Sequence, residues 1–375
     1  MPGLLPDVDP DGLLEYSVVY TDRALNHMSQ RFRHVMRDLS AGLKQAHGAQ
    51  AVAIVPGGGS SGMEAVARQF AGGREVLIVR NGWFSYRWSQ ILDMGGIATG
   101  ATVMKARALG PGAQAAFAPA PVDEVVAAIR REKPAVVFAP HVETSAGMLL
   151  PDDYLQAVAA AVREVDGLFV LDGIASGALR VDMAALGVDV LVGAPQKGWS
   201  STPCAGLVMM GPRALERIEH TASSSFALDL RKWLQIMRAY EDGGQAYHAT
   251  LPTDGLRQLR DAMHEAMAVG LDELQAAQHR LGREVRALLE SRGIASVAAP
   301  GFQAPCVVVS HTDRADWHDT RAFAAQGLQV AAGVPLACDE PEGYRSFRIG
   351  LFGLDKLRDV AGTVRRLAQV LDRLA

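Results

Sequence analysis

The sequence LFVLDGIASGALRVDMAALGVDVLVGAPQKGWSSTPCAGLVMM, residues 168–210, contains three short apolar runs separated by turn residues. The first run ends at Asp172. The second, at 189–192, leads through a Gly-Ala-Pro turn to Lys197, and the third, at 205–210, follows a loop rich in Ser and Thr. Short apolar runs bounded by turn residues are typical of buried strands in an α/β sheet. This stretch therefore predicts three neighbouring strands.

The same stretch carries a pair of chemically informative residues. Asp172 ends one predicted strand, and Lys197 stands just beyond the next. This pair is what a protein needs to hold pyridoxal phosphate, because the lysine amine forms a Schiff base and the aspartate partners the protonated pyridine nitrogen. Taken singly, Lys197 is equally explained as a solvated loop lysine, and Asp172 as a turn aspartate.

Composition restricts the class of protein. The 375 residues exceed one ordinary domain, and 49% hydrophobic with 21% charged residues is typical of a soluble globular enzyme. The net charge of −4, without a basic run, gives no indication of a nucleic-acid or membrane-surface partner. We find neither a membrane-spanning segment nor a secretion signal. The cysteines lack CxxC spacing, which predicts no disulfide framework, no zinc site and a cytoplasmic location; they are Cys204, Cys306 and Cys338.

A glycine-rich loop follows the first predicted strand of the chain, Ala51 to Val55. The loop opens the sequence PGGGSSGMEAVARQF, in which a helix is expected to begin near Ser61. Free amide groups at a helix N-terminus attract anions, and glycine lets a phosphate approach closely. The spacing matches neither the Walker nor the GxGxxG pattern, so a tight turn explains the loop equally well.

Two further strand ends carry candidate ligand-binding residues. The strand Glu75 to Val79 precedes NGWFSYRW at 81–88, where Phe84 is the candidate for stacking on a flat ring. The strand Ala135 to Ala139 precedes PHVETSAGMLLP, which is either a ligand-binding strand end or a polar turn. Its polar residues are His141, Glu143, Thr144 and Ser145. Strand–helix alternation through this half predicts a mostly parallel, doubly wound sheet.

The remaining segments of the chain lie before and after the predicted strands. Residues 1–20 are expected to form an irregular arm, and Ser29 is the candidate N-cap of a helix across 26–43. We place a large domain at 21–254. A long helix, from about Thr253 to Arg292, then leads into a smaller α/β domain within 255–375.

Together these motifs resemble the class V aminotransferases, which are fold-type I pyridoxal-phosphate enzymes, and in particular their alanine–glyoxylate and serine–pyruvate branch. The resemblance runs from about residue 26 to residue 353. It implies that Lys197 and Asp172 are catalytic, with Lys197 the Schiff-base lysine. It also implies a set of cofactor-binding residues: Gly59, Ser60, Phe84, Thr144, Asp172, Ile174, Gln196, Lys197, Tyr247 and Thr250.

The resemblance also extends to the substrate and the assembly. YHATLPT at 247–253 is similar to a family motif whose tyrosine and threonine reach the neighbouring subunit's cofactor phosphate, which implies a homodimer with shared active sites. SFRIGLFG at 346–353 is similar to a segment whose arginine, here Arg348, grips the substrate carboxylate. An arginine fork suits this task because it binds a carboxylate bidentately. An arginine of an edge strand that faces the surface is the alternative explanation.

The predicted activity is transfer of an amino group from a small α-amino acid, such as alanine or serine, to glyoxylate or pyruvate. A lyase or a desulfurase on the same fold is the alternative. A desulfurase needs a nucleophilic cysteine in a mobile loop, and Cys338 stands in a loop-like segment ten residues before Arg348. A non-catalytic binding protein is a third possibility, but the retained Lys197 argues against it. The segment EYSVVYTDRALNHMS at 15–29 replaces the family's usual opening and leaves the donor open.

Overall fold

The computed structural model describes residues 15–21 and 24–374. Most of the predicted N-terminal arm lies outside these residues. The helices are α1 Gln30–His47, α2 Gly59–Phe70, α3 Trp83–Gly95, α4 Val122–Glu132, α5 Asp152–Glu164, α6 Met183–Leu186, α7 Pro212–Glu219, α8 Leu230–Glu241, α9 Thr253–Val269, α10 Leu271–Glu290, α11 Ala315–His318, α12 Arg321–Ala325, α13 Leu354–Arg358 and α14 Val360–Leu374.

The strands belong to one large sheet and three small ones. They are β1 Ala51–Pro56, β2 Glu75–Arg80, β3 Gly100–Lys105, β4 Arg107–Ala108, β5 Phe117–Ala118, β6 Val136–Pro140, β7 Val142–Glu143, β8 Met148–Leu149, β9 Leu168–Asp172, β10 Val190–Gly193, β11 Ala205–Met210, β12 Val307–His311, β13 Ala331–Ala332 and β14 Ser346–Gly350.

The large sheet has the order β1-β11-β10-β9-β6-β2-β3. Strands β10, β9, β6, β2 and β3 pair in parallel, and only β11 runs against its neighbours β1 and β10. The prediction of a mostly parallel sheet is therefore confirmed. Its central strands read as continuous Val, Ile and Leu runs because helices cover them, and α1, α2, α4 and α5 all pack on this sheet.

Register brings the predicted strand ends together. Asp172, the last residue of β9, pairs with Pro140 on one side and Val192 on the other. His141 follows immediately after β6, and its amide donates to the Asp172 carbonyl at 2.8 Å. The residues that follow β6, β9 and β10 consequently lie at one edge of the sheet, where open α/β sheets bind ligands.

A second, antiparallel sheet has the order β12-β14-β13. A cluster of tilted and edge-on aromatic rings packs on it, formed by Trp317, Phe323 and Phe347 of β14. Arg348 lies on β14, the central strand, so the edge-strand interpretation of this arginine is wrong. The two sheets have separate cores, and the division of the chain at residue 254 stays a prediction.

Several helices differ from the sequence prediction. The long helix expected over 253–292 is two helices, because Gly270 adopts a φ of 106° between α9 and α10. The helix expected at 26–43 begins at Gln30 and ends at His47, while its N-cap Ser29 is confirmed by a 3.2 Å bond from the Phe32 amide. The sequence analysis also missed α3, which contains Phe84.

Candidate active site

Asp172 lies at the end of β9 with 8% of its surface exposed. Burial raises the pKa of its carboxyl to about 7, although the hydrogen bond from the Ile174 amide (3.0 Å) and the charge of Arg87 lower it and Glu143 raises it. A carboxylate so poorly solvated is stabilised by a cationic hydrogen-bond donor. The protonated nitrogen of a pyridine ring is such a donor, so the residue fits the cofactor predicted from the sequence.

Lys197 lies in the turn between β10 and β11. Burial lowers the pKa of its amine, and the nearby charge of Arg348 lowers it further. The ammonium group lies 5.0 Å from the centre of the Phe352 ring, and within 15–21 and 24–374 it forms no ion pair with a carboxylate. A lowered pKa increases the fraction of neutral amine, which is the form that attacks a carbonyl. The preceding residue, Gln196, has a buried amide oxygen with no hydrogen-bond partner among the described residues.

The glycine-rich loop forms the N-terminus of α2. The helix begins at Gly59, two residues earlier than expected. The first amide groups of a helix have no partner inside it, which leaves them for an anion. Ile174 lies directly against this turn, since a Cβ atom on Gly59 would be 2.5 Å from its Cδ1. The hydroxyl of Ser60 accepts a 2.9 Å hydrogen bond from Nη1 of Arg87.

Phe84 lies in the first turn of α3, and two guanidinium groups flank its ring. Those of Arg87 and Arg348 lie 5.4 Å and 5.5 Å from the ring centre. Arg348 of the second sheet thus lies beside a ring carried by α3, a helix that packs on the large sheet. Nε of Arg348 donates to the Ala332 carbonyl at 2.8 Å, which fixes the side chain at this position.

Glu143 is a fully buried carboxylate that caps the N-terminus of α3. Its oxygens accept hydrogen bonds from the amides of Phe84 (3.2 Å) and Ser85 (2.8 Å) and from the Ser145 hydroxyl (2.7 Å). This approach requires Gly82, where a Cβ atom would lie 2.7 Å from Cγ of Glu143. The cap ties the helix that carries Phe84 to the turn that contains the buried Thr144.

His141 links the turns that follow β6 and β9. Its Nδ1 lies 2.7 Å from the Ser176 hydroxyl. Burial lowers the pKa of His141 to about 4, helped by the charge of His47, so the imidazole is neutral near pH 7. Its role here is to hold the segment around Asp172 in place.

Tyr247 and Thr250 are not brought to this site within one chain. Their hydroxyl groups lie 3.2 Å apart, and the Tyr247 ring contacts His27. Both side chains are exposed, and none of their described contacts is with Ser60, Phe84 or Lys197.

Cys338 does not have the properties that a desulfurase requires. It is 3% exposed, and its thiol donates to the Arg80 carbonyl at 3.4 Å. Burial and the charge of Glu143 raise the pKa of this thiol to about 12, so it is protonated and withheld from a substrate.

Across the described ranges, no three His, Cys, Asp or Glu side chains form a group able to hold a metal ion. The helices of those ranges include none that is long and apolar enough to cross a membrane.

Comparison with known proteins agrees with this geometry. The family model described as Aminotransferase class-V matches residues 13–348. The chain belongs to the class V aminotransferases. Enzymes of this class depend on pyridoxal phosphate, so the predicted cofactor and the predicted enzyme class are confirmed.

Individual relatives differ in name. A 2-aminoethylphosphonate–pyruvate transaminase of Burkholderia ambifaria is 32% identical over 80% of this chain and 76% of its own length. A protein named as a soluble hydrogenase small subunit, from Synechococcus sp., is 27% identical over 93% of this chain and 88% of its own. The crystal structure of alanine–glyoxylate aminotransferase from Nostoc sp. superposes with a TM-score of 0.77 and 22% identity, covering 93% and 89% of the two chains. The predicted fold type is thereby confirmed.

The sequence analysis missed the roles of two residues in this region. Arg87 is one of several arginines near aromatic residues, and nothing local in the sequence links it to Ser60. Glu143 belongs to the polar cluster that follows β6, but the sequence does not predict that it caps α3, because α3 itself is not predicted. A glycine at position 82, just before a helical segment and without a capping side chain, was the available signal.

Proposed function

We propose that the enzyme transfers the amino group of a small α-amino acid, such as alanine or serine, to glyoxylate or pyruvate. The observation that carries this proposal is the position of Arg348, which lies 5.5 Å from the centre of the Phe84 ring and close enough to Lys197 to lower the pKa of its amine after burial has done so. A fixed cation beside the reactive amine suits a donor that carries a carboxylate. Relatives that are named as pyruvate and glyoxylate transaminases support the choice of acceptor.

The cofactor seat that we propose uses residues from several strand ends. The first turn of α2 would bind the phosphate, Phe84 would stack on the ring, and Asp172 would partner the pyridine nitrogen. Pyridoxal phosphate, when bound, supplies an electron sink for charge that develops at the donor α-carbon. The remaining seat residues are Thr144, Ile174 and Gln196, with Tyr247 and Thr250 contributed by a second subunit.

The chain's own residues perform the remaining steps. Lys197 would hold the cofactor covalently through its side-chain amine. Its freed amine then accepts the proton of the donor α-carbon as general base, a role that its lowered pKa supports. Arg348 holds the donor carboxylate during this transfer. Burial disfavours the ionised form of Asp172, and a cation beside the carboxylate would stabilise it, so Asp172 would keep the pyridine nitrogen of the cofactor protonated.

We further propose a cytoplasmic homodimer with shared sites. Two large apolar side chains are exposed at the Tyr247–Thr250 segment: Tyr247 itself and Phe226, whose ring contacts that of His248. Soluble monomers seldom expose such neighbouring apolar groups. The three free thiols support a reducing compartment. Sedimentation at working concentration should show a dimer, and a monomer that binds the cofactor fully would contradict the shared-site arrangement.

A donor panel tests the proposed reaction. Purified enzyme is given alanine, serine, aspartate and 2-aminoethylphosphonate, each with glyoxylate and with pyruvate, and both amino and keto products are measured. The phosphonate belongs in the panel because an arginine fork binds phosphonate and carboxylate alike, and because the Burkholderia relative is named for it. Alanine or serine should be the best donor. Release of ammonia without an amino product would favour lyase chemistry instead.

A further inference from the structure

Arg87 connects two parts of the site that the proposed function treats separately. It lies on α3 one turn after Phe84, and residues three apart share one face of a helix. Its guanidinium carbon lies 5.4 Å from the centre of the Phe84 ring, while Nη1 donates to the Ser60 hydroxyl at 2.9 Å. These two contacts hold the guanidinium between the stacking ring and the first turn of α2.

The charge of Arg87 is not neutralised by a neighbouring acid. Within the part of the chain that the structure describes, its contacts are a hydroxyl and an aromatic ring, and no carboxylate pairs with it. A partly exposed guanidinium beside a helix N-terminus adds its positive charge to that of the helix end, and both attract an anion. Although burial raises the pKa of Asp172, the charge of Arg87 acts in the opposite direction, so its field reaches this carboxyl group.

The hydrogen bond to Ser60 also orients the serine. Ser60 is the second residue of α2, next to the free amides of its first turn. Because its oxygen accepts the N–H of Arg87, its own hydrogen is left to donate to another group. An anion at this helix end would therefore receive backbone donors, the Ser60 hydroxyl and the field of the guanidinium together.

We propose that Arg87 is the charged member of the phosphate seat, and that it orients the Ser60 hydroxyl toward the cofactor phosphate. A phosphate monoester carries about −1.5 to −2 charges, and a helix N-terminus offers only about +0.5. One guanidinium supplies most of the remainder. The proposal rests on the placement of the phosphate at Gly59 and Ser60, which belongs to the proposed function.

The test compares two ligands that differ only in the phosphate. Cofactor-free full-length chain is titrated with pyridoxal 5′-phosphate and with pyridoxal, and the absorbance of the lysine adduct gives each Kd. Arg87→Met should weaken binding of pyridoxal phosphate roughly 10- to 100-fold and leave pyridoxal binding unchanged. The Kd of Arg87→Lys for pyridoxal phosphate should lie between those of the wild type and Arg87→Met, because an ammonium keeps the charge without the planar fork. Arg130→Met, which removes an exposed ion pair between Arg130 of α4 and Glu164 of α5, is the matched control and should change neither Kd.

A double-mutant cycle tests the link to Ser60. If Arg87 orients the hydroxyl, the losses from Ser60→Ala and Arg87→Met should be less than additive for pyridoxal phosphate. Equal losses for both ligands would overturn the proposal, because Arg87 would then act through Phe84 or through the fold. A second result would also overturn the proposal: if Arg87→Met binds pyridoxal phosphate normally but has a raised KM for aspartate and not for alanine, Arg87 binds an anionic group of the substrate. A wild type that binds both ligands equally would refute the phosphate placement itself, whatever the variants do.

Discussion

Replacing Arg348 with alanine removes the guanidinium that lies 5.5 Å from the centre of the Phe84 ring. In the intact chain its Nε is engaged by the Ala332 carbonyl, which leaves both Nη groups for a donor carboxylate. A charge-assisted interaction of this kind contributes about 1.5–3 kcal/mol. At about 1.4 kcal/mol per decade, kcat/KM for alanine should fall roughly 10- to 150-fold.

The assay is the half-reaction with alanine and with its decarboxylated amine, ethylamine. Arg348→Ala should lose rate with alanine only, because ethylamine carries no carboxylate. Arg348→Lys should recover part of the loss, since a point charge lacks the fork. Arg345→Ala removes an exposed arginine three residues earlier and serves as the matched control.

Two results would refute this reasoning. If alanine turnover survives in Arg348→Ala, the arginine holds β14 to β13 through Ala332 and does not bind the donor. If alanine and ethylamine lose rate equally, the substitution disturbs the site as a whole. Binding of pyridoxal phosphate should be unaffected in either variant, because the first turn of α2 and Lys197 are untouched.

Three further predictions concern buried charges around the cofactor seat. Borohydride reduction of the holoenzyme followed by peptide mapping should label Lys197, and label on another lysine would contradict its assignment. Folding raises the pKa of Asp172 from 3.8 to about 7, so the folded cofactor-free chain binds the extra proton and its free energy of unfolding should fall as pH rises through this window. Asp172→Asn should flatten that slope in denaturant melts, and an unchanged slope would place its origin elsewhere. Glu143→Gln should lower the free energy of unfolding by about 1–3 kcal/mol, because an amide group cannot accept all the bonds at the start of α3. Glu342→Gln, at an exposed position, is its control and should leave the denaturant midpoint unchanged.

Local sequence patterns determined the elements that carry the cofactor chemistry. The apolar runs of β9, β10 and β11 indicate that both faces of these strands are buried, because a strand covered on both faces must be apolar throughout. The turn residues after them fix where Asp172 and Lys197 stand. Parallel strands place their carboxyl ends at one edge of the sheet, so the sequence by itself predicts that Asp172 and Lys197 lie at the same edge.

Tertiary structure alone decided which distant side chains complete the site. Arg348 reaches Phe84 from a different sheet, Arg87 meets Ser60 across two helices, and Glu143 caps a helix that begins about sixty residues earlier in the chain. Periodicity and turn chemistry report only on neighbours within a few residues, whereas these contacts depend on how whole elements pack. A hydrogen bond or cation–ring contact is sensitive to displacements of a fraction of an ångström, and only the packed core sets positions that finely.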